Sequence, residues 1–224
     1  MRSLTRETKE TRETRETVVI VMLDDTTFAM LRDIGRDLFL RGLISSHAGN
    51  MSVRKGRTIW ITRRGSMLGR LRMEDMVGVD IEKTDAHVLM ASSELAIHRA
   101  VYETTSALAF IHAHPPYATL LSMMRDEIIP IDSEGSYLFK KVPVVIVEKT
   151  IGSQEAGGVI SEALQDYKVV MMRGHGSFAR GDVLEDAYMY TSSLEASSFY
   201  AYHMEDGRNT ASFPTSTKSG RRHS

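Results

Sequence analysis

The sequence predicts an α/β fold, arranged as a single three-layer α/β/α domain. The chain has 224 residues, a length typical of one domain. Its 42% apolar and 25% charged residues are proportions typical of a globular protein with a sizeable core. Segments with helical periodicity and segments with strand character alternate along the sequence, which indicates helices packed on a sheet.

The two ends of the chain are predicted to lie outside this domain. The first residues repeat Thr, Arg or Lys, and Glu with a period of three, which fits neither a packed helix nor a strand. The last residues are rich in Ser, Thr, Arg and Gly. We therefore expect a disordered arm over 1–19, a folded body over 20–206 and a flexible tail over 207–224.

The first half of the body opens with a predicted helix. Thr26 or Thr27 can cap this helix, which is expected to end near Arg41 because Gly42 follows as a stop signal. Two short β-rich stretches come next, and the glycine-containing turn between them predicts a hairpin. The strands expected here are 51–53, 58–62 and 76–81.

The second half continues the alternation. Ser92 or Ser93 is expected to start a helix that ends near Thr105. The Pro115-Pro116 pair opens another helix, because proline is tolerated in a first turn. The remaining elements are predicted as strands at 107–112, 142–147 and 168–172, and as helices to about 124, at 153–165 and at 182–203.

Charge, apolar runs and cysteine content exclude several classes of protein. The 28 basic and 29 acidic residues leave a net charge of −1, so a generic nucleic-acid or membrane-surface binder is disfavoured. The longest apolar run, 18–23, is too short for a membrane span or a secretory signal. With no cysteine, a metal would need His, Asp or Glu ligands. We expect a cytoplasmic protein.

Three histidines stand at the ends of predicted strands. His112 and His114 are two residues apart at the end of an apolar strand, so both rings can face one ion. His175 lies between two glycines after another apolar strand. Three neutral nitrogens with an open fourth position are typical of catalytic zinc. Each signal alone is weak, because ordinary surface or loop histidines would give the same pattern.

Polar residues around the next predicted helix and two loops are candidates for anion binding. Ser92 and Ser93 at a helix start leave backbone N–H groups for an anion, and Glu94 follows in the first turn, although simple capping is an alternative. His98 has apolar neighbours and is expected to be a packing or hydrogen-bonded residue. The loops 49–52 and 62–66 combine glycine with donors, as a phosphate site or an ordinary turn would.

In this order, these motifs resemble the class II aldolase/adducin family, and within it the L-fuculose-1-phosphate aldolase type. The resemblance runs from about Phe28 to Ala201. It rests on Gly-Asn-Met-Ser at 49–52, Ile-Thr-Arg-Arg-Gly at 61–65, Ser-Ser-Glu at 92–94, His-Ala-His at 112–114 and Gly-His-Gly at 174–176.

The resemblance implies a fold and a set of site residues. It implies a central, mainly antiparallel sheet, and one Zn²⁺ per chain bound by His112, His114 and His175, with another divalent transition metal as the alternative. Glu94 is implied as the catalytic acid/base, and as a further metal ligand when no substrate is bound. The implied phosphate-binding residues are Gly49, Asn50, Gly65, Ser92 and Ser93.

Two departures from the family pattern leave roles open. Arg64 stands where the family has a small hydroxyl, and its guanidinium can bind phosphate or carboxylate, so the anion is not identified. The family's proton-donating tyrosine from a neighbouring subunit has no counterpart in register within 130–137. Glu134 and Tyr137 are the nearest candidates for this catalytic role.

The resemblance implies a metal-dependent aldolase that makes or cleaves a C–C bond of a small phosphorylated sugar, or joins an aldehyde, through a metal-stabilised enediolate. A sugar-phosphate epimerase, dehydratase or decarboxylase would need the same ligands. A non-catalytic module like the adducin head is disfavoured, because all three histidines and Glu94 are present. The expected assembly is a homotetramer with shared active sites, and an aromatic-rich closing helix agrees with it.

Overall fold

A computed structural model describes residues 21–210. Its helices are α1 (Asp25–Leu40), α2 (Leu95–Thr104), α3 (Pro116–Met124), α4 (Ser133–Leu138), α5 (Gln154–Asp166) and α6 (Leu184–Thr210). Its strands are β1 (Asn50–Lys55), β2 (Thr58–Thr62), β3 (Met76–Asp80), β4 (Ala109–Ala113), β5 (Glu127–Ile128), β6 (Val142–Val145), β7 (Val169–Met172) and β8 (Gly176–Gly181). The predicted arm, 1–19, lies outside the described residues, as does 211–224 of the predicted tail.

The strands form one sheet in the order β3-β2-β1-β4-β8-β7-β6-β5. The sheet is mixed, which corrects the expectation of a mainly antiparallel sheet. β6 and β7 pair in parallel, whereas the other neighbouring strands pair antiparallel. The parallel pair follows from the connection between them, because α5 carries the chain back across the sheet as a strand–helix–strand unit.

The two faces of the sheet are both buried, because successive strand residues point to opposite sides. Residues such as Met51 and Ile111 join a core with apolar residues of α1, α3 and α6. Phe110 and Phe178 join a second core with residues of α2 and α5. This confirms the α/β class, and the three-layer arrangement stays a prediction.

Strand β8 is central to the sheet although the sequence analysis did not predict it. It pairs with both β4 and β7, and all six of its residues are buried. Its two glycine ends, together with the polar Ser177 and Arg180, leave only Phe178 and Ala179 as apolar residues, so the usual apolar alternation is absent. The buried Arg180 is satisfied without a carboxylate, since its guanidinium donates to the backbone oxygens of Leu164, Gln165 and Tyr167 at the end of α5.

Three helix boundaries differ from the predicted ones. Helix α1 is capped by Asp24, whose Oδ1 accepts from the Thr27 amide at 2.8 Å, rather than by either threonine. Helix α2 begins at Leu95, so Glu94 is its capping residue instead of a first-turn residue. Helix α6 runs to Thr210, past the predicted end of the folded body at residue 206. Among the described residues, no helix is long and apolar enough to cross a membrane.

Candidate metal centre and anion pocket

Three imidazoles converge at one end of the central strands. His112 and His114 lie at the end of β4, and His175 lies in the turn between β7 and β8. One ring nitrogen from each comes within 4.8 Å of the others, and the Nε2 atoms of His112 and His114 are 2.9 Å apart. The structure thus brings the three predicted ligands together.

The protonation of these rings suits metal binding. The Nδ1 of His112 donates to the Ser177 carbonyl oxygen at 2.9 Å, which leaves its Nε2 lone pair for an ion. Burial, followed by the neighbouring imidazoles, lowers the pKa of His112 and of His114 to about 3. Both rings are therefore neutral near pH 7, as metal ligands must be. The residues present fit a divalent ion with nitrogen ligands.

The two glycines that flank His175 have different reasons for being glycine. Gly174 adopts φ +65°, a left-handed conformation that most side chains disfavour. Gly176 has ordinary backbone angles but no room, because a Cβ there would lie 2.3 Å from the Ala113 oxygen and 2.8 Å from His114 Cδ2. The backbone of β8 at Gly176 therefore packs directly against the imidazoles of His112 and His114.

Glu94 lies beside the three imidazoles with only 4% of its surface exposed. Its Oε2 is 3.4 Å from His112 Nε2, and its Oε1 is 3.5 Å from His175 Nε2. Burial raises the pKa of Glu94, and this effect is opposed by a 2.9 Å hydrogen bond that the Asn50 amide donates to Oε2. A carboxyl group with a raised pKa at this position can both accept and return a proton.

A cavity of about 230 Å³ opens above these groups. The three histidines, Glu94 and all six predicted anion-binding residues line it: Gly49, Asn50, Arg64, Gly65, Ser92 and Ser93. Arg63 and Ser66, which belong to the predicted 62–66 loop, line it as well. Sequence reasoning missed two further lining residues, His47 and Ile151. Proximity to the 49–52 loop was an available signal for His47, whereas Ile151 comes from a distant loop.

The two arginines of the 62–66 loop have different surroundings. Arg63 pairs with Asp75, with 2.6 Å between Nη2 and Oδ1. Arg64 also faces the cavity, and its guanidinium has no carboxylate partner among residues 21–205. Arg64 is therefore the guanidinium of this loop that is available to a bound anion.

Two of the predicted catalytic residues do not reach this cavity within their own chain. Glu134 lies on α4, where its Oε1 accepts a 2.8 Å hydrogen bond from Ser193 of α6. Tyr137 lies on the same helix with 89% of its surface exposed. Asp132 caps this short helix, because its side chain accepts a hydrogen bond from the Gly135 amide.

The fold and the histidine-lined cavity agree with a comparison against protein families. Residues 29–201 match the Class II Aldolase and Adducin N-terminal domain, so the chain belongs to this family. Class II aldolases are metal-dependent, and the three histidines form a site of the expected kind. The family resemblance noted from the motifs is confirmed.

Similar individual proteins include both aldolases and a decarboxylase. The L-fuculose phosphate aldolase of Methanocaldococcus jannaschii is 32% identical over 168 residues, which cover 72% of this chain and 88% of that protein. The 3-oxo-tetronate 4-phosphate decarboxylase of Haemophilus influenzae is 30% identical over 181 residues, covering 78% and 86%. The crystal structure of L-fuculose-1-phosphate aldolase from Thermus thermophilus superposes with a TM-score of 0.81 at 35% identity, covering 86% of this chain and 100% of that one.

Proposed function

We propose that this protein is a metal-dependent aldolase that cleaves or forms a C–C bond of a small phosphorylated sugar. The observation that carries the proposal is the position of Glu94, a buried carboxylate within 3.5 Å of two of three convergent imidazoles. Family membership and the L-fuculose phosphate aldolase relatives support the same reaction.

His112, His114 and His175 would hold the metal, and zinc suits three neutral nitrogen ligands best. When bound, the ion would polarise the carbonyl group of the substrate as a Lewis acid. Glu94 would take a proton from, or return it to, the substrate carbon next to that carbonyl. Because Asn50 already donates to Oε2, we assign the proton transfer to Oε1.

The phosphate of the substrate would bind at the rim of the cavity, through Gly65, Ser92, Ser93 and the guanidinium of Arg64. We expect this phosphate contact, distant from the reacting carbon, to contribute mostly uniform binding, which is equal in the ground state and the transition state. Arg64→Ala should therefore raise KM about tenfold and leave kcat nearly unchanged, while Arg64→Lys should lie between the two. A collapse of kcat at constant KM would assign Arg64 to the chemistry instead.

We further propose a cytoplasmic homotetramer in which Glu134 or Tyr137 of one chain donates a proton in the site of its neighbour. Support comes from the exposed position of α4 and from apolar side chains of α6 that remain exposed, such as Phe199 at 42% and Tyr200 at 48%. Light scattering at micromolar concentration tests the assembly. An active monomer would remove the shared-site proposal.

Incubation of the metal-loaded protein with L-fuculose 1-phosphate and a panel of other ketose and aldose phosphates tests the reaction. Release of an aldehyde supports the aldolase. A second candidate is a decarboxylase acting on a sugar-acid phosphate, favoured by the Haemophilus influenzae relative and by the ability of Arg64 to bind a carboxylate. Release of CO₂ from a 3-oxo acid phosphate, without aldehyde formation from the sugar phosphates, would favour this second reaction.

A further inference from the structure

A buried chain of polar side chains leads from the interior of the protein to Glu94. We call it the polar chain, and it consists of Tyr102, Ser52, His98 and Asn50. Asn50 and Ser52 are two residues apart on β1, so they point to the same face of the sheet. His98 and Tyr102 are four residues apart on α2, so they share one face of the helix. No member is more than 6% exposed.

Each member of the polar chain contacts the next at hydrogen-bond distance. Tyr102 Oη lies 2.8 Å from Ser52 Oγ and 3.0 Å from the Ser52 carbonyl oxygen. Ser52 Oγ lies 2.6 Å from His98 Nδ1. His98 Nε2 lies 2.5 Å from Asn50 Oδ1, and Asn50 Nδ2 lies 2.9 Å from Glu94 Oε2.

The carboxylate at the end of this chain dictates the direction of every hydrogen bond in it. An ionised Glu94 only accepts, so Asn50 must present its NH₂ group to Glu94 and its oxygen to His98. His98 must then carry its proton on Nε2, which leaves Nδ1 to accept from the Ser52 hydroxyl. Because that hydroxyl proton is now used, the Tyr102 hydroxyl must be the donor toward Ser52.

The protonation states within the polar chain agree with this assignment. Burial, followed by the nearby His112, lowers the pKa of His98 to about 3, so its ring carries a single N–H at neutral pH. Burial raises the pKa of Tyr102, which keeps the phenol protonated as a donor. The ring of His98 is also fixed by an edge-to-face contact with Phe110, whose centroid lies 4.7 Å away.

We propose that His98 is a positioning residue for Glu94: its Nε2–H fixes the Asn50 side chain so that the amide nitrogen faces the carboxylate. Without this donor the Asn50 amide could rotate, and its oxygen would then oppose the Glu94 oxygen. The proposal rests on the proposed acid/base role of Glu94. It adds a residue that does not line the cavity.

The first test requires no activity. Long-range ¹H–¹⁵N spectra of the full chain at pH 7, with His98 assigned by comparison with His98→Gln, report which ring nitrogen carries the proton. We expect the Nε2–H tautomer. The Nδ1–H tautomer would overturn the proposal, because Asn50 would then have to donate to His98 and present its oxygen to Glu94.

The second test is a double-mutant cycle in the metal-loaded enzyme. His98→Leu should lower kcat about 10- to 100-fold, as loss of an outer hydrogen-bond partner commonly does, with KM changed less than about twofold. In an Asn50→Ala background the same substitution should have less than about a twofold effect on kcat. Equal losses in both backgrounds would overturn the proposal, because His98 would then not act through Asn50.

Two variants separate positioning from general damage to the fold. His98→Gln retains an N–H donor toward Asn50 and should recover part of the lost kcat, whereas a value no better than that of His98→Leu contradicts the proposal. Thr191→Val removes another fully buried hydroxyl, on α6 and outside the cavity, and should leave kcat unchanged. If no sugar phosphate is cleaved at all, the proposed function fails. The tautomer measurement then still shows whether His98 donates a hydrogen bond to Asn50.

Discussion

The two glutamates predicted to transfer protons lie in contrasting regions of the molecule. Glu94 lies at the start of α2, is 4% exposed, and is held by Asn50 next to three imidazoles. Glu134 lies on α4, outside the cavity of its own chain, and its carboxylate accepts from Ser193. Of the two, Glu94 lines the cavity of its own chain and Glu134 does not, so a catalytic role for Glu134 would require the cavity of another chain.

The largest expected effect is loss of the metal when one of the three imidazoles beside Glu94 is removed. His175→Ala leaves two nitrogen ligands, so metal content should fall from one ion per chain to a small fraction and activity should fall to background. Metal analysis after dialysis measures this loss. His203→Ala, on the exposed part of α6, is the matched control and should keep its metal. Full occupancy in His175→Ala would show that the ligand set is wrong.

The substitution Glu94→Gln tests proton transfer by Glu94 and leaves metal binding intact. The amide keeps the shape of the side chain but cannot exchange the proton, so kcat should fall about 10²- to 10⁴-fold while the metal stays bound. Steady-state kinetics on protein of measured metal content check this. A Glu94→Gln enzyme as active as the parent would remove the distinction between the two glutamates.

Glu134→Gln and Tyr137→Phe test the other region. If α4 supplies a proton to a neighbouring site, one of these variants should lower kcat about tenfold or more in the tetramer. A mixture of Glu94→Gln chains with chains of that variant should then regain activity after co-refolding, since some sites combine an intact residue from each chain. No gain in activity on mixing would restrict both regions to their own chains.

The last expected effect concerns stability rather than activity, and it is a change in the pH dependence of the free energy of unfolding. The pKa of His98 is about 3 in the folded protein and about 6.5 in the unfolded chain, so the unfolded chain binds more protons below pH 6.5. The free energy of unfolding should therefore decrease as the pH falls from 6.5 towards 3, and His98 should contribute up to about 1.4 kcal/mol per pH unit. Denaturant titrations of the parent and His98→Gln should differ in this slope. Identical slopes would mean that His98 is not buried in its neutral form.

Local sequence signals predicted most elements and most of the cavity, because glycine turns, caps and strand-end histidines act over a few residues. They did not predict β8, since its sequence, GSFARG, lacks apolar alternation and is buried only through its two neighbouring strands. The local signals also assigned Asn50 to phosphate binding only, and not to a contact with Glu94 or His98. Its hydrogen bond with His98 joins residues 48 positions apart, and only the packing of α2 on β1 brings them together.

The Gly-His-Gly motif has a consequence for sequence variation within this fold. At Gly174 the constraint is the backbone angle, and asparagine, which tolerates left-handed angles, has space there because the nearest atom to an added Cβ is 3.6 Å away. At Gly176 the constraint is volume, so even alanine would displace the two imidazoles of β4. Saturation mutagenesis should therefore yield a narrow set of tolerated residues at the first position and glycine alone at the second. The same residue type is therefore required for two independent reasons, the backbone angle at Gly174 and the lack of space at Gly176.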